Sequence, residues 1–574
     1  MKPAISKWLA TQVSAGAGRV FELPALRAHA SRKRIQGRQT CADRGRSDED
    51  LARPAPPVSA TCPTCWFAAA AMVFALCGFV KAGERVVDFP PAESKPAPPM
   101  KTPPRYESSG EDTDVLDYMG PTMRKSQKRA PPPPRTLTVL YKLVYGEKLK
   151  YVYDDGVEHV FDEWKSYQDD AYRLITQTNQ RLADGMNYET ATKPLASPGF
   201  DPVDIPLLYM AGDYDFALTE EEVANLRKFI MDGGTILFNA ARGRDEFTRS
   251  VAREMRKVFP TKTFVKLPPD HPVLNTRYRV TQVLTVGNGV QTSQAPDVYS
   301  IDIGTRAAAI LVPLGMGAAW CGAPYHEAGK HMVGESAVRL GVNIVAYVLG
   351  NTEYGRFLAQ EFPIYNGHTK PGDVFRFALA RYSGSWDLYP ALQNSVLQGL
   401  AGKTGIGVDY EPVVVDLADP RIGDYPLVLM TGHYDFELTE QEVSNLRNYL
   451  KRGGMLLASA AAGLKPFGMA FRREMARVFP DGGLIKLPPT HALFARGWIR
   501  IDQVEYTPTA LRDDPLLAYP EFWGSFIDGR LAVLFTPYDV MTGVNREPNP
   551  YAKGLTPEDA MNVTVDVITY SLSH

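Results

Sequence analysis

The sequence contains little cysteine outside its amino-terminal region. Five cysteines occur among 574 residues, and Cys321 is the only one that lies beyond position 77. A single thiol can form neither a disulfide framework nor a cysteine-ligated zinc site. We therefore expect no metal and no cofactor in the bulk of the protein.

The chain also lacks an excess of charge of either sign. Its formal net charge is −2, with 44% apolar and 22% charged residues, as in soluble globular proteins. Domains that bind nucleic acid usually carry a clearly basic face, so we expect no nucleic-acid partner. A chain of this length exceeds what one hydrophobic core can hold, about 250–300 residues, and several domains are therefore expected.

No apolar run reaches the length of about 20 residues that an ordinary membrane-spanning helix needs. The run from Cys65 to Val80 is shorter and is followed by Lys81-Ala82-Gly83, which suits a secretory signal peptide and its cleavage site. We interpret residues 65–82 as a signal peptide or membrane anchor, which would be the chain's only membrane contact. The protein is thus expected to be periplasmic or otherwise extracytoplasmic.

The segments on either side of this run are predicted not to fold. Residues 1–64 are polar and basic, and we expect a disordered extension or a misassigned start. Residues 83–135 are rich in proline and charged side chains, so they cannot bury enough apolar surface to form a core. They are predicted to be a linker.

The remainder of the chain contains the same sequence twice. Pro206–Pro260 aligns without a gap with Pro426–Pro480, and 28 of these 55 positions are identical, which indicates a duplication. We place the first repeat at residues 136–351, a short linker at 352–371 and the second repeat at 372–574.

Each repeat predicts the same alternation of strands and helices. An apolar strand ends at a glycine, a capping box such as Thr219 with Glu222 opens a helix, a double glycine ends it, and a second strand follows. Short strands that alternate with helices are typical of parallel sheets joined by crossover helices. The predicted fold class is therefore α/β, with mostly parallel sheets in two tandem domains.

The repeats resemble a bacterial family known as domain of unknown function 4159 (DUF4159). The second repeat carries the resemblance in TGHYDFELTEQEVSNLRNYLKRGG, FRREMARVFP, LPPTH and GRLAVLFTPYD, and the first in AGDYDFALTEEEVANLRKFIMDGG, VAREMRKVFP and LPPDHP. The family is similar in fold to class I glutamine amidotransferases, which implies a flavodoxin-like sheet in each repeat. Family members commonly carry an aspartate pair after the double glycine, where these repeats read FNAARG and ASAAAG.

Neither repeat contains the nucleophile elbow that amidotransferase or hydrolase chemistry on such a fold requires. No G-x-C-x-G or G-x-S-x-G sequence occurs. Cys321 and His326 are close in sequence, but a small apolar side chain in a glycine-rich loop explains Cys321 more simply.

Two histidines, His271 and His491, occupy the same position in the two repeats, after a Pro-Pro pair. They could contact a ligand at the carboxyl edge of the sheet, where open α/β folds bind ligands. They could instead fix the loop through hydrogen bonds to the backbone, and we favour this second interpretation.

Acidic residues follow the first strand of the duplicated segment in both repeats. Asp215 and Asp435 match each other and could either bind a ligand or cap the next turn. Asp213 is replaced by His433, so shared chemistry at that position is not expected.

These features favour an exported, non-catalytic binding or assembly protein with an unknown protein or small-molecule partner. Its two repeats would pack as an internal pseudo-dimer through equivalent faces. One alternative is a hydrolase or amidotransferase-like enzyme that pairs His271 or His491 with Asp215 or Asp435. Another is a carbohydrate or cell-wall binding module, which rests on fold analogy. A catalytic protein would be expected to keep one site and lose the other, and the sequence shows no such asymmetry.

Overall fold

The structure, a computed structural model, describes residues 135–152, 156–182, 186–325, 329–358, 363–369, 373–480, 482–501 and 503–574. The predicted extension, signal segment and almost all of the proline-rich linker lie outside these residues. Within the described ranges, none of the helices combines the length and apolar character needed to cross a bilayer.

The first repeat contains the predicted alternation of strands and helices, with additional strands. In chain order its elements are β1 Arg135–Val144, β2 Lys148–Val152, β3 Glu158–Asp162, α1 Asp170–Leu182, β4 Met186–Pro194, β5 Leu207–Gly212, α2 Glu220–Met231, β6 Thr235–Ala240, α3 Asp245–Val258, β7 Val265–Lys266, α4 Pro272–Asn275, β8 Val283–Gly287, β9 Val290–Gln294, β10 Tyr299–Ile303, β11 Arg306–Val312, α5 Gly317–Cys321, β12 Lys330–Met332 and α6 Glu335–Leu358.

The second repeat follows the same plan with fewer strands among its described residues. Its elements are β13 Ala378–Arg381, α7 Leu392–Thr404, β14 Val414–Asp416, β15 Leu427–Gly432, α8 Glu440–Lys451, β16 Met455–Ala460, α9 Lys465–Val478, β17 Ile485–Lys486, α10 Ala492–Ala495, α11 Pro508–Asp513, β18 Trp523–Ile527, β19 Arg530–Thr536, α12 Met541–Asn545 and α13 Pro557–Ser573.

Each repeat is built on a seven-stranded sheet. The strand order is β4-β1-β5-β6-β11-β10-β7 in the first repeat and β14-β13-β15-β16-β19-β18-β17 in the second. The first five strands of each order are parallel, whereas β10 and β18 run antiparallel. Counted along the chain, the parallel strands follow the order 2-1-3-4-5, which is the flavodoxin-like order. The order reverses between β1 and β5, and between β13 and β15.

The local signals in the sequence explain why these elements form. Strands β5, β6, β15 and β16 are buried at every position, as expected for central parallel strands covered on both faces. Both capping boxes are present, at Thr219 with Glu222 and at Thr439 with Glu442. Gly233 and Gly453 follow the helices at φ of 110° and 109°, a conformation that favours glycine.

One predicted boundary differs from the structure. Helix α6 continues to Leu358, so its last turns lie in the segment 352–371 that was expected to be a linker. Its apolar positions pack on the sheet up to Leu349. Gly350 directly follows and could have ended the helix, but it lies inside α6, where a side chain would collide with Tyr551 of the second repeat.

The two repeats contact each other through different faces. The β10–β11 turn of the first repeat, at the amino edge of its parallel strands, lies against loops at the carboxyl ends of β15 and β19. Thr305 donates its N–H and its hydroxyl to Glu547, at 2.9 and 2.8 Å. The Asp302 carboxylate accepts the Tyr434 hydroxyl at 2.6 Å and lies 2.9 Å from Nδ1 of His433.

A two-fold axis would require the same contact with the roles of the repeats exchanged. The position equivalent to His433 is Asp213, and Asp213 bonds Ser166 and Arg242 of its own repeat instead. The described contacts are therefore head to tail, and the expectation that equivalent faces would meet is wrong for them. Heterologous contacts of this kind do not require the surfaces to be self-complementary.

Candidate functional site

The carboxyl edge of the first repeat, at the point where the strand order reverses, contains a buried acid. Asp213 directly follows β5, and its side chain is 1% exposed. One carboxylate oxygen accepts the backbone N–H of Arg242 at 2.8 Å, and the other accepts the Ser166 hydroxyl at 2.9 Å. The Arg242 guanidinium lies 3.3 Å from the second oxygen. The buried charge is thus compensated by three donors.

A second buried acid holds the same loop from the other side. Glu163 precedes α1, and Oε1 accepts the backbone N–H groups of Asp213 and Tyr214, the latter at 2.7 Å. Burial raises the pKa of Glu163 to about 6, against the lowering effect of these two hydrogen bonds. Glu163 therefore fixes the loop rather than facing solvent.

Polar and cationic side chains form the exposed part of this edge. The Tyr167 hydroxyl faces Arg242, and burial raises the pKa of Tyr167 to about 12, so the hydroxyl stays a neutral donor. Arg242 is 30% exposed. The guanidinium of Arg244 lies 5.0 Å from the ring centre of Tyr214, and Lys330 is exposed nearby, 3.8 Å from Asp245.

The corresponding edge of the second repeat has different residues and is covered. His433 stands in place of Asp213, and it contacts Asp302 of the first repeat's hairpin. Ala462 stands in place of Arg242, and its backbone N–H bonds the fully buried Asp539 at 2.5 Å. Tyr389 also donates to Asp539, at 2.8 Å. This edge is therefore an inter-repeat contact, and the two repeats differ in what their carboxyl edges contact.

Asp215 and Asp435 lie near these edges but point to the neighbouring helix. Asp215 is 69% exposed and pairs with Arg253 at 2.8 Å, and Asp435 pairs with Arg473 at 2.9 Å. Each arginine also donates to the backbone oxygen of the following phenylalanine, Phe216 in the first repeat. These contacts are the same in both repeats. They attach the loop after β5 to α3 in the first repeat and the loop after β15 to α9 in the second.

His271 and His491 are helix caps in the structure. Nδ1 of His271 accepts the backbone N–H of Val273, and Nδ1 of His491 accepts that of Leu493, both at 3.2 Å. The expected tie to the backbone is therefore present, but the ring accepts a hydrogen bond instead of donating one to a carbonyl. Burial lowers the pKa of His271 to about 4, which keeps the ring neutral and able to accept.

The predicted pairing of His271 with Asp215 is not found. His271 lies close enough to Asp302 and His433 for both to affect its pKa, which places it beside the inter-repeat contact. Asp215 lies at the opposite, carboxyl edge of the first repeat's sheet. The structure brings together Asp213, Glu163, Ser166, Tyr167 and Arg242 instead.

Cys321 lies at the end of α5. Burial raises the pKa of its thiol to about 11, so little thiolate exists at neutral pH. Its sequence neighbour His326 lies outside the described residues. Among the side chains that the structure describes, no three His, Cys, Asp or Glu residues are grouped as metal ligands would be.

Sequence reasoning missed Glu163, Ser166, Tyr167 and Arg242. A signal for part of this group was present, because Trp164-Lys165-Ser166-Tyr167 is matched by Trp386-Asp387-Leu388-Tyr389 in the second repeat. The two tyrosines recur at similar distances before the duplicated strand. Divergence of the residues around a shared tyrosine indicated that the edges differ.

The strand order of the two sheets defines the class of the protein, a tandem α/β protein with flavodoxin-like sheets. The carboxyl edge is exposed in the first repeat and covered in the second. The sequence model for Domain of unknown function (DUF4159) matches residues 153–349 and again residues 376–572. These matches cover more than half of the chain, and the protein belongs to the DUF4159 family through both repeats. No curated protein matches the chain significantly.

Proposed function

We propose that this DUF4159 protein is a non-catalytic binding protein that holds a small anionic ligand at the carboxyl edge of its first repeat. The difference between the two edges carries the proposal. The first edge keeps the partly exposed Arg242 beside Ser166 and Tyr167, whereas the second has Ala462, Leu388 and Tyr389 at these positions and is covered by the hairpin. One repeat binds, and the other supports it.

The cations at this edge support an anionic ligand. Arg242, Arg244 and Lys330 flank the loop. The acid beside Arg242, Asp213, is buried and already bonded, and the exposed Asp245 lies 3.8 Å from Lys330. A guanidinium presents donors in a planar fork that matches a carboxylate or a phosphate group. A ligand with such a group would meet Arg242 first.

A non-catalytic role is supported by the state of the reactive groups. The thiol of Cys321 has a pKa of about 11, and the sequence has no nucleophile elbow. Glu163 favours a second candidate, a hydrolase, because a carboxyl with a pKa of about 6 suits a general base. Its Oε1 is committed to two backbone N–H groups, so we rank this candidate second.

The proposal includes action outside the cytoplasm. It is supported by the apolar run from Cys65 to Val80 with the small residues Ala82 and Gly83 after it, and by the proline-rich segment that follows. Such a segment would separate the repeats from the membrane surface.

Calorimetric titration of the purified protein tests the proposed site. The probes are citrate, inorganic phosphate and glucuronate, with glucose as the neutral comparison. We expect at least one anion to bind and glucose not to bind. Arg242→Ala should weaken anion binding by about tenfold or more, since a hydrogen bond to a charged group contributes about 1.5–3 kcal/mol.

Arg253→Ala is the matched control, because Arg253 is also a partly exposed arginine paired with an aspartate, but on α3. It should bind the anion as the wild type does. Equal affinity in Arg242→Ala and the wild type, or no binding of any anion, would contradict the proposed site.

A further inference from the structure

The first repeat contains a buried ion pair beneath its carboxyl edge. Lys142 on β1 and Asp170 at the start of α1 are 2% and 0% exposed, and Nζ lies 2.5 Å from Oδ1. The other oxygen of Asp170 accepts the Tyr209 hydroxyl at 2.8 Å. Lys142 also donates to the backbone oxygen of Tyr167 at 2.6 Å. The pair thus holds both ends of the short segment from Tyr167 to Asp170.

The second repeat has leucine at all three equivalent positions. Lys142 pairs in register with Tyr209, and the equivalent strands pair Leu379 with Leu429. Asp170 lies three residues after Tyr167 at the start of a 13-residue helix, as Leu392 lies three residues after Tyr389. Leu392 and Leu429 are buried in the second repeat's apolar core, and the partly buried Leu379 packs against it.

The comparison within one chain indicates that the fold does not need the ion pair. Removing two charges from water costs several kcal/mol per ion, and well-packed apolar replacements are often neutral or stabilising. The second repeat forms the same sheet with leucines in these places. The first repeat must therefore retain Lys142, Asp170 and Tyr209 for a reason that does not apply to the second repeat. The exposed carboxyl edge is the feature in which the first repeat differs from the second.

We propose that Lys142, Asp170 and Tyr209 are positioning residues for the binding edge of the first repeat. They fix the backbone of Tyr167, and through it the hydroxyl that faces Arg242. The identity of the ligand rests on the proposed function, whereas the positioning of the Tyr167 segment rests on these contacts alone. Lys142, buried and fully engaged, does not itself touch the ligand.

The test replaces the charged set by the residues of the second repeat, in the variant Lys142→Leu/Asp170→Leu/Tyr209→Leu. We expect its Tm to be no lower than that of the wild type. Backbone amides of residues 163–169 should exchange hydrogen faster, while those of 385–391 in the second repeat should be unchanged and serve as the internal control. Affinity for the anion that binds the wild type should fall by about tenfold or more.

The single variant Lys142→Leu is the companion measurement. It leaves Asp170 buried without its cation, so its Tm should fall well below that of the triple variant. A triple variant that melts as low as the single variant would show that the set is structural. Unchanged exchange at 163–169 would show that it does not position the segment. If the wild type binds no anion, the proposed function fails, and the melting and exchange results still decide this inference.

Discussion

At the scale of single residues, the exposed edge is organised by acids that do not face solvent. Glu163 accepts two backbone N–H groups of the loop after β5, and Asp213, within that loop, accepts the backbone N–H of Arg242 after β6. A carboxylate in such a place is costly to desolvate unless its oxygens are bonded. The result is a hydrogen-bonded loop beside which the guanidinium of Arg242 stays partly exposed.

Glu163 should make stability depend on pH. Its pKa is about 6 in the folded protein, against 4.5 for an ordinary glutamate, so the folded state holds the proton more tightly. The contribution of Glu163 to stability is therefore fully present below pH 4.5 and falls by about 2 kcal/mol as pH rises through 6. Denaturant unfolding across this range should show the slope in the wild type and a smaller one in Glu163→Gln.

The difference between the pH profiles of the wild type and Glu163→Gln isolates the contribution of Glu163. Burial also raises the pKa of Asp566 to about 6, but Asp566 is present in both proteins. Superimposable pH profiles would mean that Glu163 ionises normally in the folded protein.

The two capping histidines should affect stability in different degrees. Replacing His271 or His491 by Ala removes a cap worth about 0.5–2 kcal/mol, measured as a lower Tm. Asn can cap as well, so His491→Asn should recover most of the loss. His271→Asn should recover less, because His271 is buried, whereas His491 is partly exposed.

His271 should also contribute to acid sensitivity. Its folded pKa of about 4 lies below the ordinary 6.5, so wild-type stability is lost as pH falls from 6.5 towards 4. His271→Asn should lack this loss. An unchanged Tm in both Ala variants would contradict the capping role.

At the scale of elements, the β10–β11 hairpin joins the repeats. It carries Asp302 and Thr305 into the carboxyl edge of the second repeat, where they meet His433, Tyr434 and Glu547. The equivalent hairpin of the second repeat has Phe526 at the position of Asp302, and Phe526 is exposed. The two hairpins have the same strand register, but the first repeat's hairpin carries the polar side chains that bind the other repeat.

Asp302→Ala should uncouple the repeats. It removes the partner of the buried His433 and of the Tyr434 hydroxyl, and breaking a buried pair from one side costs about 3–5 kcal/mol. Scanning calorimetry should show a lower first transition, separated from the unfolding of the other repeat. Phe526→Ala is the matched control and should leave the coupling intact. A single, unshifted transition in Asp302→Ala would exclude this role for the hairpin.

At the scale of the whole molecule, duplication has produced two domains whose carboxyl edges differ in sequence and in contacts. The head-to-tail contact uses the amino edge of one repeat and the carboxyl edge of the other. It leaves the first repeat's carboxyl edge outside the contact. In the proposed function, that remaining edge carries the binding activity and the second repeat stabilises its neighbour.

The whole protein is predicted to act outside the cytoplasm as a chain that begins near Gly83. Signal peptidase cleaves after small residues, and Ala82 is such a residue two positions after the apolar run. Mass spectrometry of the native protein from fractionated cells should find this amino terminus in the extracytoplasmic fraction. Recovery of a soluble cytoplasmic form that retains residues 65–80 would contradict it.

Much of the fold was predictable because its signals are local. The capping boxes, the double glycines and the short apolar strands act on neighbouring residues, and the structure contains them at the predicted places. The cap formed by His271 is equally local, with its partner only two residues away. The length of α6 was missed because Gly350, a possible local stop signal, lies within the helix, where it makes room for Tyr551 of the second repeat.

The sequence by itself determined the duplication, the α/β class and the family, since each depends on the order of residues along the chain. Only the tertiary structure decided which carboxyl edge is covered and which side chains meet at the other. Those contacts join residues far apart in sequence, such as Glu163 with Asp213 and Asp302 with His433. They depend on how two folded surfaces fit together, and no local periodicity or spacing encodes that fit.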